Sequence, residues 1–157
     1  MDNLVTEEWG IFELDEKARE NFFRYVKWGK SEISLDIFED VFEELATSFI
    51  SELLDQLPWF QDQAHQVLEQ AFNKEEADLL FYLECEQELL EETKPERTWY
   101  PKAVLDELVL TGVFLALDQN HQMVITLDFS IDKEISDQIL AVKFDAAKNL
   151  LGIAHES

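Results

Sequence analysis

The chain's 157 residues fit one domain, and its 35 Asp and Glu against 12 Lys and Arg leave a formal net charge of −23. That sign argues against nucleic acid and anionic membrane, whose phosphates repel it, and favours basic proteins, whose opposite field speeds encounter. With 46% apolar residues and 12 Phe the chain has enough to bury a core, which excludes a disordered acidic tail.

Residues 1–9 hold three acids and no base, so they do not read as a signal peptide. Residues 10–14 have the composition of an early strand, and residues 15–21 are compatible with a short helical turn. Residues 22–28 are aromatic and β-branched, Gly29 and Lys30 make a turn, and residues 31–38 alternate. Ile33, Leu35 and Ile37 fall on one face, and Glu32, Ser34 and Asp36 on the other, a hairpin with one wet face. From Asp40, a plausible N-cap, the period becomes helical: Phe42, Leu45, Phe49, Leu53 and Leu57 recur every three or four residues. Pro58 ends that helix or kinks the chain. A second helix is predicted over 59–72 and a third over 75–91, the latter with Leu79, Tyr82, Leu83, Leu89 and Leu90 on one face. Residues 93–101 form a polar connection punctuated by Pro95 and Pro101, and a short helix follows. Alternation returns over 113–117, 123–130 and 140–144, and residues 150–154 can pair back as a terminal strand.

Strands, then helices, then strands predict a single α+β domain: β-rich over 1–39, helical over 40–92, and a short helix followed by strands over 101–157. An antiparallel sheet from the N- and C-terminal strands would be covered by about three helices, with its other face at least partly solvated.

Catalytic chemistry has no visible carrier. The four glycines stand alone, so no phosphate-binding loop is present, and there is no nucleophile elbow or zinc-protease motif. His65 has Asp62 three residues before it and Glu69 four after, but an acidic helix face produces such triplets often. No catalytic set, metal site or cofactor is expected. The lone Cys85 lies in an apolar helical run, where a packing role is expected. No apolar run approaches the roughly 20 residues that span a bilayer, and a cytoplasmic protein is expected.

The acids are unevenly placed. Residues 31–92 contain eighteen acids and one base, Lys74. Asp40, Glu44 and Asp55 share the face opposite Phe42, and Glu84, Glu88 and Glu91 form a stripe at i, i+4 and i+7. Like charges at that spacing cost about 0.2–0.5 kcal/mol per pair, and a helix shaped only for stability would interleave lysines. A solvated face is one reading of the stripe; a surface that meets a cationic partner is the other. Trp9, Trp28, Trp59 and Trp99 all lie at predicted element boundaries, and Trp99–Tyr100 is the pair expected to be exposed.

The segments Ile125-Thr126-Leu127-Asp128-Phe129-Ser130-Ile131, Ile135 through Asp145, and Leu151-Gly152-Ile153-Ala154-His155-Glu156-Ser157 resemble a bacterial family catalogued as a domain of unknown function, number two thousand and four. Trp28-Gly29-Lys30 is a looser match. The resemblance covers about a third of the chain and implies a compact α+β fold in small bacterial cytoplasmic proteins. Small acidic bacterial proteins of this kind look like immunity proteins, encoded beside a secreted toxin that they neutralise.

The function expected is therefore an immunity-type binding protein that occludes the active site of a cognate basic toxin or effector domain, a nuclease for example. Glu44, Asp55, Glu84, Glu88 and Glu91 would meet its cations, with Trp59 and Trp99 as anchors. An acidic adaptor or chaperone-like binder of several basic proteins is one alternative, and a carboxylate-based metal-binding protein or enzyme is another.

Overall fold

The structure, a computed structural model, describes residues 4–6, 10–12, 21–29 and 31–156. Of the expected helical turn over 15–21, residues 15–20 lie outside the described residues, as does the boundary residue Trp9, and Asn21 is in a strand instead. In chain order the elements are β1 (Leu4–Thr6), β2 (Gly10–Phe12), β3 (Asn21–Trp28), β4 (Ser31–Phe38), α1 (Glu39–Glu44), α2 (Thr47–Asp55), α3 (Leu57–Asn73), α4 (Ala77–Thr93), α5 (Pro101–Glu107), β5 (Val109–Leu117), β6 (Met123–Ser130), β7 (Ile139–Asp145) and β8 (Leu150–Glu156). The α+β class is as expected. β1 and β2 form their own two-stranded ribbon, and the other six strands form one sheet in the order β3-β4-β5-β6-β7-β8.

The sheet is mixed rather than wholly antiparallel. β4 and β5 run parallel, from Ser34↔Gly112 to Ile37↔Leu115. A parallel neighbour cannot be reached through a tight turn and needs a crossover. Here residues 39–108 are that crossover, and they hold all five described helices. Element order alone does not separate this layout from an antiparallel one, because both read as strands, helices, strands.

The helix count also differs, five against about three. The single helix expected from residue 40 to Pro58 is broken at Leu45 and Ala46, which take extended backbone. The break resets the helical phase: Ile50, Leu53, Leu54 and Leu57 face the core, while Phe49 of the expected stripe turns outward. Asp40 lies within the first turn of α1 and does not cap it. Pro58 sits at the start of α3, where its missing N–H leaves no bond unmade.

Alternation sorts the sheet into two faces. Ile33, Leu35 and Ile37 of β4 are buried with Val113 and Leu115 of β5, Ile125, Leu127 and Phe129 of β6, and Leu140, Val142 and Phe144 of β7. A bulge between Leu110 and Gly112 shifts the phase of β5, so that Leu110 joins Val113 on this face. That phase shift hides residues 109–112 from a period-two reading. Helix α3 crosses over the same face, with the Phe60 ring 5.5 Å from Phe144 and the His65 ring 5.2 Å from Phe129. Helix α4 lies beside it, its Tyr82 ring 5.0 Å from His155 of β8. Cys85 is exposed on α4 and does not pack as expected.

Truncating the buried Leu127 to Ala should cost about 2–5 kcal/mol in urea unfolding, whereas Leu151→Ala, on the exposed edge strand, should cost under about 0.5 kcal/mol. The reverse ranking would contradict the assignment of faces.

Candidate functional site

The residues singled out from the sequence do not gather into one site. Glu84, Glu88 and Glu91 are exposed along α4, without an ion pair among the described residues; Glu91 accepts a hydrogen bond from Gln87 at 2.7 Å. Glu44 ends α1 and meets His121 of the β5–β6 turn at 2.7 Å. Asp55 is half-buried at the end of α2. Trp59 is half-buried against Phe60 and Phe144, with the Lys148 ammonium 4.7 Å above its ring. Trp99 is only 5% exposed, which corrects its expected role as an exposed anchor. Its indole N–H donates to the Lys94 carbonyl at 2.9 Å, and Arg97 stacks 4.4 Å over the ring. Of that pair only Tyr100 reaches solvent.

The sheet face turned away from α3 is the more unusual surface. Five buried side-chain oxygens lack a hydrogen-bond partner among the described residues, and they belong to Asp36, Asp40, Glu86, Asp128 and Ser130. Each orphan of this kind calls for a physical explanation. Three of them, on Asp36, Asp128 and Ser130, sit at strand positions that alternate with the core positions and therefore lie on the open face. A groove of about 320 Å³ runs over this face, and among the described residues its walls come from β3 to β7 and the β6–β7 connection.

The strand register explains how the groove is built. Gly112 of β5 stands between Ser34 of β4 and Asp128 of β6. A Cβ at Gly112 would come within 2.7 Å of the Ser34 hydroxyl, so glycine keeps the floor low beside Asp128. Phe23 and Tyr25 of β3 rise from the open face with their rings 5.1 Å apart, edge to face, and are 54% and 57% exposed. Phe114 of β5 lines the groove as well. Phe23 and Phe114 also flank Asp36 in the register.

Asp128 is 6% exposed and Ser130 2% exposed, yet both line the groove. Burial raises the Asp128 pKa to about 6; Glu156 adds to the rise and Lys143 opposes it. Lys143 is itself paired with Glu156 at 3.3 Å and offsets the rise only in part. Burial raises the pKa of Asp36 as well. Among the described residues Lys133 is the cation that lines the groove, and its ammonium lies 5.8 Å from the Tyr25 ring centroid.

The β6–β7 connection that walls the groove is fastened to the helix layer. Ser136 donates to Glu86 of α4 at 3.0 Å and accepts from the Gln138 N–H at 3.1 Å. The Gln138 side chain meets His155 at 2.7 Å. Glu86 is 2% exposed, and its pKa is raised first by burial, against the Ser136 hydrogen bond and the His155 charge, with Asp137 adding to the rise.

Sequence reasoning missed Phe23, Tyr25, Asp128 and Glu86. Glu86 left a signal: it occupies the apolar stripe Leu79–Leu83–Leu90 of α4, where a carboxylate is out of place. Asp128 left none, since its place in the alternation is that of any residue on a wet face.

A larger groove, about 740 Å³, lies between the α3–α4 turn and β8. None of the orphaned oxygens lines it, so it lacks the buried charge that marks the open face. Among the described residues no three His, Cys, Asp or Glu side chains converge as a metal site, and Glu69 of the candidate triplet is engaged by Lys102. No helix among the described residues is long and apolar enough to cross a membrane. No family model, curated protein or solved structure matches the chain.

The raised pKa of Asp128 has a stability consequence. Its folded state favours the protonated form, so the contribution is complete below about pH 4 and is lost as pH rises through about 6. Asp128→Asn should therefore stabilise the fold on the order of 2–3 kcal/mol near pH 7, with the gain shrinking towards about pH 5. Urea unfolding at the two pH values checks this; a variant less stable at both would show that the carboxylate is paired.

Proposed function

We propose that this chain is an immunity-type binding protein that neutralises a cognate basic toxin or effector domain in the cytoplasm by covering its active site. The observation that carries the reading is the open-face groove, where an unpartnered, buried carboxylate is rimmed by two exposed aromatic rings. Tight association needs a centre that is desolvated and anchored by aromatics, and Phe23 and Tyr25 take the anchoring role once expected of Trp59 and Trp99. The acids of the helix layer, including the exposed α4 stripe of Glu84, Glu88 and Glu91, act at longer range. They steer a basic partner towards the surface and hasten encounter without having to touch it. A nuclease suits the charge, since carboxylates would stand where its substrate's phosphates bind. The resemblance of the last third to a bacterial family of small acidic proteins points the same way.

The test is association with the basic domain encoded beside this chain's gene. The two should co-purify at low salt, and the association rate should fall steeply with ionic strength. Glu84→Lys with Glu88→Lys should slow association about tenfold or more at low salt, with unfolding midpoints unchanged. Absence of association at low salt would overturn the reading, and unchanged kinetics in the double variant would leave the stripe a solvated face. One tight partner, rather than many weak ones, separates this reading from a general adaptor.

A further inference from the structure

The groove's chemistry narrows what can enter it. Asp128 offers an unpartnered carboxylate oxygen at a position 94% buried, and the Ser130 hydroxyl beside it is unpartnered as well. Lys143 offsets the charge of Asp128 only in part and makes no hydrogen bond to it among the described residues, and a buried anion left in that state is costly, so the site is stabilised by any occupant that brings a positive charge and hydrogen-bond donors. A metal ion does not answer this need, because no three ligating side chains converge among the described residues. An anion is repelled by Asp128, Asp36 and Asp137. A free apolar group would leave the carboxylate orphaned.

The walls choose among organic cations. Phe23, Tyr25 and Phe114 offer ring faces and edges. A guanidinium stacks flat on such rings while donating two parallel hydrogen bonds to a carboxylate, whereas an ammonium is more strongly hydrated and donates from a point. The groove already holds a cation by an aromatic ring, since Lys133 sits at Tyr25, but that ammonium leaves Asp128 unpaired. About 320 Å³ is at the small end of ligand-binding clefts and suits one long side chain better than a folded element. Gly112 leaves the floor open where such a side chain would reach Asp128.

We propose that the open-face groove is a receptor for a single arginine side chain of the basic partner, with the guanidinium on Asp128 and its stem between Tyr25 and Phe114. This rests on the binding reading above and specifies the centre of that interface. The partner's arginine is thereby removed from its own site, which for an enzyme acting on phosphates disables a group that would contact substrate.

Three blocked tripeptides, Gly-Arg-Gly, Gly-Lys-Gly and Gly-citrulline-Gly, test it without the partner. Titrated against the full chain and followed by NMR, the arginine peptide should shift the resonances of Phe23, Tyr25 and the Asp128 carboxyl. Citrulline keeps the shape and loses the charge, and should bind about tenfold more weakly or worse. Asp128→Asn should weaken the arginine peptide by a similar factor, and Tyr25→Leu should weaken it while leaving the fold intact. Equal binding of arginine and citrulline peptides, equal binding of arginine and lysine peptides, or shifts elsewhere on the chain would each overturn the proposal. Failure here with intact, salt-dependent partner association removes the arginine site alone; peptide binding without any partner association removes the immunity reading alone.

Discussion

β4 and β5 lie side by side and run in the same direction, and the rest of the architecture follows from that pairing. A parallel neighbour forces the chain out of one end of the sheet and back in at the other. The 39–108 segment makes that journey as helices, with α3 laid over Phe129 and Phe144 and α4 over His155. One face of the sheet thereby receives the core. The other, among the described residues, is left to strands and to one connection, and it is there that Asp36, Asp128 and Ser130 lie. The crossover thus separates a conventional hydrophobic interior from a surface that is polar in composition but partly dry.

This separation also divides the electrostatics. The helix layer carries most of the acids in residues 31–92 on exposed positions, where water and salt screen them and each contributes little to stability. Asp128 is the opposite case. Burial desolvates it, Glu156 outweighs what Lys143 offsets, and its pKa rises to about 6. Stability would be served by neutralising that carboxylate, so its presence is a local cost of the type found where a surface is shaped for binding. Many screened charges that steer and one desolvated charge that discriminates are complementary parts of recognition.

Much of the scaffold was legible in the sequence. Ile33–Leu35–Ile37, Met123–Ile125–Leu127–Phe129 and Leu140–Val142–Phe144 announce strands by alternation, and their faces are those read from the pattern. The helical middle was equally plain from its period. What escaped were features set by contacts between distant segments. Two extended residues at Leu45 and Ala46 split a helix whose apolar spacing is unbroken. The bulge before Gly112 concealed the start of β5. Trp99 was misjudged because its burial is fixed by the Lys94 carbonyl and the Arg97 stack. The open-face groove is the extreme case: Phe23, Gly112, Asp128 and Ser136 span more than a hundred residues, and only the sheet order brings them together. The acid-rich helices drew attention because their bias is local, while the more telling acid was a single residue in an ordinary alternation.

The most direct measurement is the titration of the Asp128 carboxyl in the free chain, followed by carbon NMR with Asp128→Asn to assign the signal. A midpoint near 6 is expected for a carboxylate that is buried and unpaired, falling when an arginine-bearing partner occupies the groove. A midpoint near the usual value of about 4 in the free chain would mean that Asp128 is solvated or already paired, and would contradict the open face as a binding centre.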